Sequence, residues 1–261
     1  MKIVVCMKQV PDTTQVKIDP QTNTLVREGV QSIINPFDVY AIEEGVRLRE
    51  RFGGTVTVVT MGPPQAENAL REAITVGADE AVLVSDRAFA GSDTLATGYI
   101  LAMAIKKIGD VDIIICGKQA SDGDTAQVGP GIATQLDLPQ VTYVNKIEDI
   151  KDGHAVMHRM TEEGYEIVQT SMPCLITVVK EINEPRLPSL KGKMKAKSAP
   201  IKAMKAIDMD VDESRLGLTG SPTWVSKIFT PPSRPKGEIF EGEADACADK
   251  LVSTLKDHLK G

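Results

Sequence analysis

The sequence predicts an α/β fold: a doubly wound, mostly parallel sheet with an antiparallel extension and an extended C-terminal arm. Three observations predict it. Over roughly the first 140 residues, short apolar β-branched runs alternate with helix patterns, the signature of βαβ units. Those runs lack inside/outside alternation, as expected of parallel strands covered on both faces. Beyond them, four strand-like segments follow one another without helices between them.

The elements follow in order. Residues 2–7, 55–61, 80–85 and 111–116 are the parallel-strand candidates. Asn35-Pro36-Phe37-Asp38 reads as a helix start, with Asn at the cap, Pro at the first position and an acid in the first turn. Val39, Ile42 and Val46 mark its inner face. Pro64 opens a second helix with Ala66, Ala69, Leu70, Ala73 and Ile74 inward and Gly77 at its stop. Ser92 is the candidate cap of a third, carrying Leu95, Tyr99, Ala102 and Met103. It ends in Lys106-Lys107 before Gly109, where cations suit the helix dipole. Val128, Ile132 and Leu136 mark a fourth, which begins either at Pro130 or, with a bend, near Asp124. Residues 16–26 read as a hairpin with a polar tip. After the rhythm changes, 141–150, 154–160, 166–171 and 175–180 read as strands, the first two joined by the turn Lys151-Asp152-Gly153. Residues 183–200 read as basic and irregular, and 203–241 as rich in Gly, Pro and Ser. An amphipathic helix over 244–259 closes the chain, with Ala248, Leu251, Val252, Leu255 and Leu259 on one face.

Composition narrows the function classes. Of 261 residues, 30 are basic and 36 acidic, and the net charge of −6 disfavours a general affinity for nucleic acid. Cys6, Cys116, Cys174 and Cys247 include no CxxC pair, which disfavours a zinc site, a cluster or a redox dithiol; reduced, buried thiols are expected. The N-terminal apolar run is too short for a secretory signal, and no window reaches the length of a membrane span. The expectation is a soluble, cytoplasmic protein without membrane insertion. No Ser-His-Asp, Cys-His or HExxH arrangement is present, and His154, His158 and His258 read as surface residues. No catalytic residue and no metal ligand is assigned.

The chemistry concentrates in GKQASDGDTAQVGP at 117–130. This segment leaves a parallel strand at its C-terminal end and runs into a helix. Open α/β sheets bind ligands at that edge, where strand order reverses. Glycines allow close backbone approach to phosphate, and helix-start N–H groups attract anions. Asp122 and Asp124 fit ribose binding or helix capping better than proton transfer. The spacing is neither Walker A nor GxGxxG, so a plain polar loop remains the alternative. Lys8, leaving the first strand, could neutralise phosphate. The basic stretch from Arg186 to Lys197 holds Leu187, Leu190 and Met194 among lysines, a pattern that suits either a solvated loop or a docking device.

VVCMKQVPDT at 4–13, INPFDVYAIEEGVRLRE at 34–50, TMGPP at 60–64, VGADEAVLVSD at 76–86, GKQASDGDTAQVGP and MKAK at 194–197 together resemble the β subunit of electron-transfer flavoproteins. The resemblance spans most of the chain, in order. It implies a nucleotide-binding core related to universal-stress and ATP-pyrophosphatase folds over 1–182. It implies a recognition loop, arm and C-terminal helix over 183–261 that contact a larger α subunit. The α subunit of this family supplies one FAD, and the β subunit holds AMP or, in electron-bifurcating members, a second FAD reduced by NADH. Bifurcating members send electrons to a high-potential path through the α-held FAD and to a low-potential acceptor such as ferredoxin. AMP-type members often carry an acid where Gly123 stands and Asn where Ala126 stands, so GDTAQVGP with VPDT resembles the bifurcating group. By motif position the resemblance places Cys6, Asn35, Met61, Ala120, Asp122, Gly123, Asp124, Thr125, Ala126, Gln127 and Val128 at the nucleotide, with Lys8 nearby. It places partner docking on Leu190, Lys191, Lys193 and Met194. In acyl-CoA-dehydrogenase partners the loop often reads LPGIMKAK; here no Pro follows Leu190. An FAD-dependent lactate dehydrogenase therefore stands beside an acyl- or enoyl-CoA enzyme as the expected partner. A free-standing stress-type nucleotide-binding protein is the alternative from another class.

Overall fold

The structure is a computed structural model describing residues 1–12, 17–18, 25–26, 31–226 and 237–259. It divides into two compact units, Met1–Ser226 and Lys227–Gly261. The sequence places a boundary at residue 182, whereas the contacts carry the first unit to Ser226.

The first unit is built on a nine-stranded sheet. In chain order its strands are β1 (Lys2–Cys6), β6 (Thr55–Met61), β7 (Glu80–Val84), β8 (Ile113–Gly117), β9 (Gln140–Lys151), β10 (His154–Met160), β11 (Tyr165–Ser171), β12 (Cys174–Val178) and β13 (Ile201–Met204). Two small pairs lie apart from it: β2 (Gln9–Pro11) with β5 (Ser32–Ile34), and β3 (Lys17–Ile18) with β4 (Leu25–Val26). The latter are the arms of the predicted hairpin, whose tip falls outside the described residues. The helices are α1 (Pro36–Phe52), α2 (Glu67–Thr75), α3 (Thr94–Ile108), α4 (Val128–Leu136), α5 (Leu190–Ser198) and, in the second unit, α6 (Ala244–Leu259).

The sheet order is β11-β10-β9-β12-β8-β1-β6-β7-β13. Every neighbouring pair from β9 to β13 is parallel. Only β10 and β11 run antiparallel to their neighbours. The antiparallel extension is thus confined to one edge. β12 instead inserts in parallel between β8 and β9, with all five of its side chains buried. α1, α2 and the odd residues of β1 enclose one core; α3, α4 and the even residues enclose the other. That two-sided burial explains the apolar runs without alternation.

Local signals hold at most boundaries. α1 begins at Pro36, and Val39, Ile42 and Val46 face inward. All five predicted face residues of the second helix are buried, although its first turn, Pro64–Ala66, is 3-10. Asp152 and Gly153 both have positive φ, which suits the tight turn between β9 and β10.

Four expectations are corrected. Asp93, not Ser92, caps α3, accepting from the N–H groups of Leu95 and Ala96. Leu95, expected on the inner face, is exposed. α4 starts at Val128, between the two starts expected; Pro130 falls in its first turn, where its missing N–H has no intrahelical role. The stretch expected to be irregular contains α5. β13 then completes the sheet edge beside β7. α5 escaped notice because its sequence, LKGKMKAKS, has a first-turn glycine and no apolar stripe; tertiary contact rather than propensity folds it.

Candidate functional site

The chain winds from β1 outward through β6 and β7, then returns to β8 on the other side of β1. The order of the sheet therefore reverses between β1 and β8. Ligands of open α/β sheets bind in the crevice at this point, beyond the carboxyl ends of the strands. Cys6 and Cys116 stand in register here, both buried. A hydrogen bond with Cys6, then burial, raises the Cys116 thiol well above its ordinary range. The Cys116 thiol is therefore a packing group rather than a nucleophile.

The loops on either side of the crevice are joined through the start of α1. Asn35 is buried, yet its side chain does not cap the helix. Its amide donates to the Gln119 carbonyl at 2.8 Å, and its Oδ1 accepts the Ser121 N–H at 3.0 Å. Its own N–H donates to the Lys8 carbonyl at 2.9 Å. One residue thereby ties the β1 exit to the β8 exit.

Asp38, one turn on, does the same from beneath. Its Oδ2 accepts the Lys8 N–H at 2.7 Å. Burial pushes its carboxyl up to about 7, against the opposing effect of hydrogen bonds from Lys8, Asn35 and Gly117. Gly117 must be glycine for a steric reason. A Cβ there would meet Asp38 Oδ1, and would lie 2.8 Å from the Phe37 carbonyl carbon. Sequence reasoning missed both residues. Asp38 was legible only as a first-turn acid, and Gly117 only as the glycine that ends a strand.

The segment after β8 shapes a cradle. Ala126 has φ +53, in the left-handed region, and Gln127 follows in a right-handed conformation. Such pairs turn consecutive N–H groups toward one side and form anion-binding concavities. The first bond of α4 runs from the Gly131 N–H to the Gln127 carbonyl. The N–H groups of Val128 and Gly129 lie outside that ladder. Gly129 sits on β12; a Cβ there would approach the Thr177 methyl to 2.8 Å. Around the cradle, Lys8 Nζ meets Asp122 Oδ1 at 2.7 Å, and Gln119 Nε2 donates to Asp124 Oδ2 at 2.7 Å. Thr94, at the start of α3, places its hydroxyl 3.2 Å from that of Thr125.

Most of the predicted nucleotide residues thus share one edge. Cys6 and Met61 end β1 and β6 on the α3 side, Asn35 is the tie, and Ala120 to Val128 form the rim. Gly123 is exposed, and a Cβ added there would meet nothing within 4 Å. Its small size serves no packing among the described residues. Thr13, from the VPDT motif, lies outside the described residues. A neighbouring feature escaped the sequence reading. Lys118 Nζ stands 5.0 Å from the Tyr143 ring and 5.7 Å from that of Phe37, and Tyr143 itself has φ +62. Among the described residues no group of three His, Cys, Asp or Glu is arranged to hold a metal.

This geometry can be set beside known proteins. An electron transfer flavoprotein domain model matches residues 22–209. An electron transfer flavoprotein subunit beta of Thermoanaerobacterium thermosaccharolyticum is 54% identical over 98% of both chains. The chain belongs to the electron-transfer flavoprotein β-subunit family. Its relatives also include the caffeyl-CoA reductase-Etf complex subunit CarD of Acetobacterium woodii, 50% identical over 98% of both chains. Protein FixA of Azotobacter vinelandii is 51% identical over 92% of this chain and 88% of its own. Family membership brings flavin-dependent electron transfer and an α-subunit partner. Among the described residues, no helix is long and apolar enough to cross a membrane.

The expected docking residues lie elsewhere. Leu190, Lys191, Lys193 and Met194 are exposed on α5, which packs against α2 on the opposite side of the sheet from α4. Arg186 differs from the free steering charge its sequence suggested. Its guanidinium bonds Glu43 at 2.8 Å and Glu50 at 2.6 Å on α1.

Proposed function

We propose that the cradle at the β1/β8 switch point holds FAD, and that the chain is the β subunit of an electron-bifurcating flavoprotein. With its α subunit, which carries its own FAD, it exchanges electrons between NADH, a flavin dehydrogenase and ferredoxin. The observation that carries this reading is Gly123, where a Cβ would meet no described residue within 4 Å, three residues before the left-handed Ala126 in the same rim. Nothing among the described residues requires a glycine there, so we read its value in what approaches from outside.

The residues fit such a group. The N–H groups at the start of α4 and the Lys8 ammonium suit a diphosphate. Asp122 and Asp124 face the same rim and suit ribose hydroxyls. Cys6 and Met61 offer a soft apolar floor. Bound FAD would supply a centre that takes electrons as a pair and passes them on singly. This chain's part is to orient that centre and to keep the ring edge clear at Gly123 and Ala126.

An ordinary carrier with AMP in the cradle would use the same phosphate-binding groups. Anaerobic addition of NADH to the purified αβ complex separates the two. Prompt bleaching of the flavin absorbance is expected. A flavin that stays oxidised in excess NADH contradicts the reading.

A further inference from the structure

The docking segment has no strong reason to fold by itself. α5 carries Lys191, Lys193, Lys195 and Lys197 within nine residues, has Gly192 in its first turn, and buries only Ala196. Like charges and a glycine weaken an isolated helix. Yet Leu190 and Met194 on this short element, and Leu187 just before it, stand well exposed, all above 70%.

Specific contacts hold it at both ends. Before the helix, Arg186 forks between Glu43, itself buried, and Glu50, while Asn183 bonds the Tyr40 carbonyl and Glu44. At its C-terminal end, Arg71 of α2 donates to the carbonyl of Ala196 at 2.5 Å and to that of Ala199 at 3.4 Å. Arg71 is held for this by Glu67 at 2.7 and 3.0 Å. A cation on the last carbonyls is a helix C-cap, here supplied from another helix. Between the ends, Gly192 lies against the last turn of α2; a Cβ there would be 2.8 Å from the Thr75 carbonyl carbon and closer still to its oxygen. Lys195 donates to the Ala78 carbonyl at 2.9 Å and pairs with Asp79. Lys191, Lys193 and Lys197 remain outward.

We propose that Arg71 and Arg186 are positioning residues for partner docking, fixing the two ends of the docking segment on α2 and α1 so that its apolar anchors are presented in one pose. This rests on the reading of Leu190, Lys191, Lys193 and Met194 as the docking residues. A preordered anchor loses less conformational entropy on association, so its affinity depends on the clamps as well as on the anchors. Gly192 belongs to the same arrangement. By intrinsic propensity Gly192→Ala should strengthen the helix; by pose it should push the helix off α2.

The test uses the αβ complex with an acyl-CoA dehydrogenase and an FAD-dependent lactate dehydrogenase as alternative electron partners. Arg71→Gln and Arg186→Gln are each expected to raise the KM for whichever partner turns over by about tenfold, with kcat and flavin content unchanged. Arg71→Lys should recover part of the loss. Amide exchange over 190–198 should quicken in Arg71→Gln and slow toward the parent in Arg71→Lys, whether or not a partner is present. Leu190→Ala is the control for docking itself. If Leu190→Ala raises KM while both arginine variants leave KM and exchange unaltered, the positioning role is overturned and docking stands. If Leu190→Ala has no effect on KM but exchange responds to Arg71, the docking reading fails and the clamp is structural only; that too overturns the proposal.

Discussion

The Oδ1 of Asn35 accepts the backbone N–H of Ser121 at 3.0 Å, bridging 86 residues of sequence. Through this bond the start of α1 and the loop after β8 become one object. The same side chain donates to Gln119, so both halves of the amide are committed. Asn35→Ala should leave two loop groups without partners and cost roughly 1–3 kcal/mol, the usual penalty for unpaired polar groups in a buried setting. Urea unfolding would show it. Nucleotide content after extensive dialysis should fall in parallel, because the loop that is loosened is the rim of the cradle.

Asp38 gives the fold a pH dependence whose sign can be stated. Its carboxyl lies at about 7 in the folded chain against an ordinary 3.8. Between those values the folded state holds a proton that the unfolded state has lost. The stabilisation is therefore complete below about pH 4 and is lost as pH rises through 7, by about 4 kcal/mol in all. Stability from denaturant titrations should decline from pH 5 to pH 8. Asp38→Asn should flatten that slope while lowering stability overall, since its amide N–H₂ would face a backbone donor.

Gly117→Ala should be among the more damaging single methyl additions. Its Cβ has no free space between Asp38 and the Phe37 backbone, so α1 or β8 must shift. A cost of about 1–3 kcal/mol is expected, as for overpacked cores. Thermal unfolding checks it. Gly153→Ala is a useful contrast. It has open space but φ +75, so any loss there reflects backbone strain alone.

How much of this was legible beforehand depends on how local its cause is. Parallel strands, the α1 start at Pro36 and the inner face of α2 are written in runs of a few residues, and they are found where the sequence places them. The cradle segment was legible because strand, glycines and helix follow one another directly. What escaped was set by distant contact. α5 is folded by Arg71, more than a hundred residues away, and its own sequence argues against a helix. The parallel insertion of β12 depends on which strand it pairs with, and periodicity is silent on that. Arg186 looked like a free charge because its acids, Glu43 and Glu50, lie on the first helix. A hint existed in the pattern, since Val39, Glu43, Val46 and Glu50 share one helical face.

Gly123→Asp separates cofactor choice from folding. Because a Cβ added at Gly123 meets no described residue within 4 Å, the melting temperature should stay within a degree or two. The rim would gain a negative charge and lose its clearance. FAD in the β subunit should fall and AMP should take its place, as read by chromatography of the released nucleotides. Unaltered FAD content would show that clearance at this position does not govern the choice.

The most direct measurement is the cofactor inventory of the αβ complex, released by denaturation and quantified per heterodimer. Two FAD per heterodimer, with AMP absent, is the predicted result. One FAD and one AMP would contradict the account and leave an ordinary electron carrier with the same cradle.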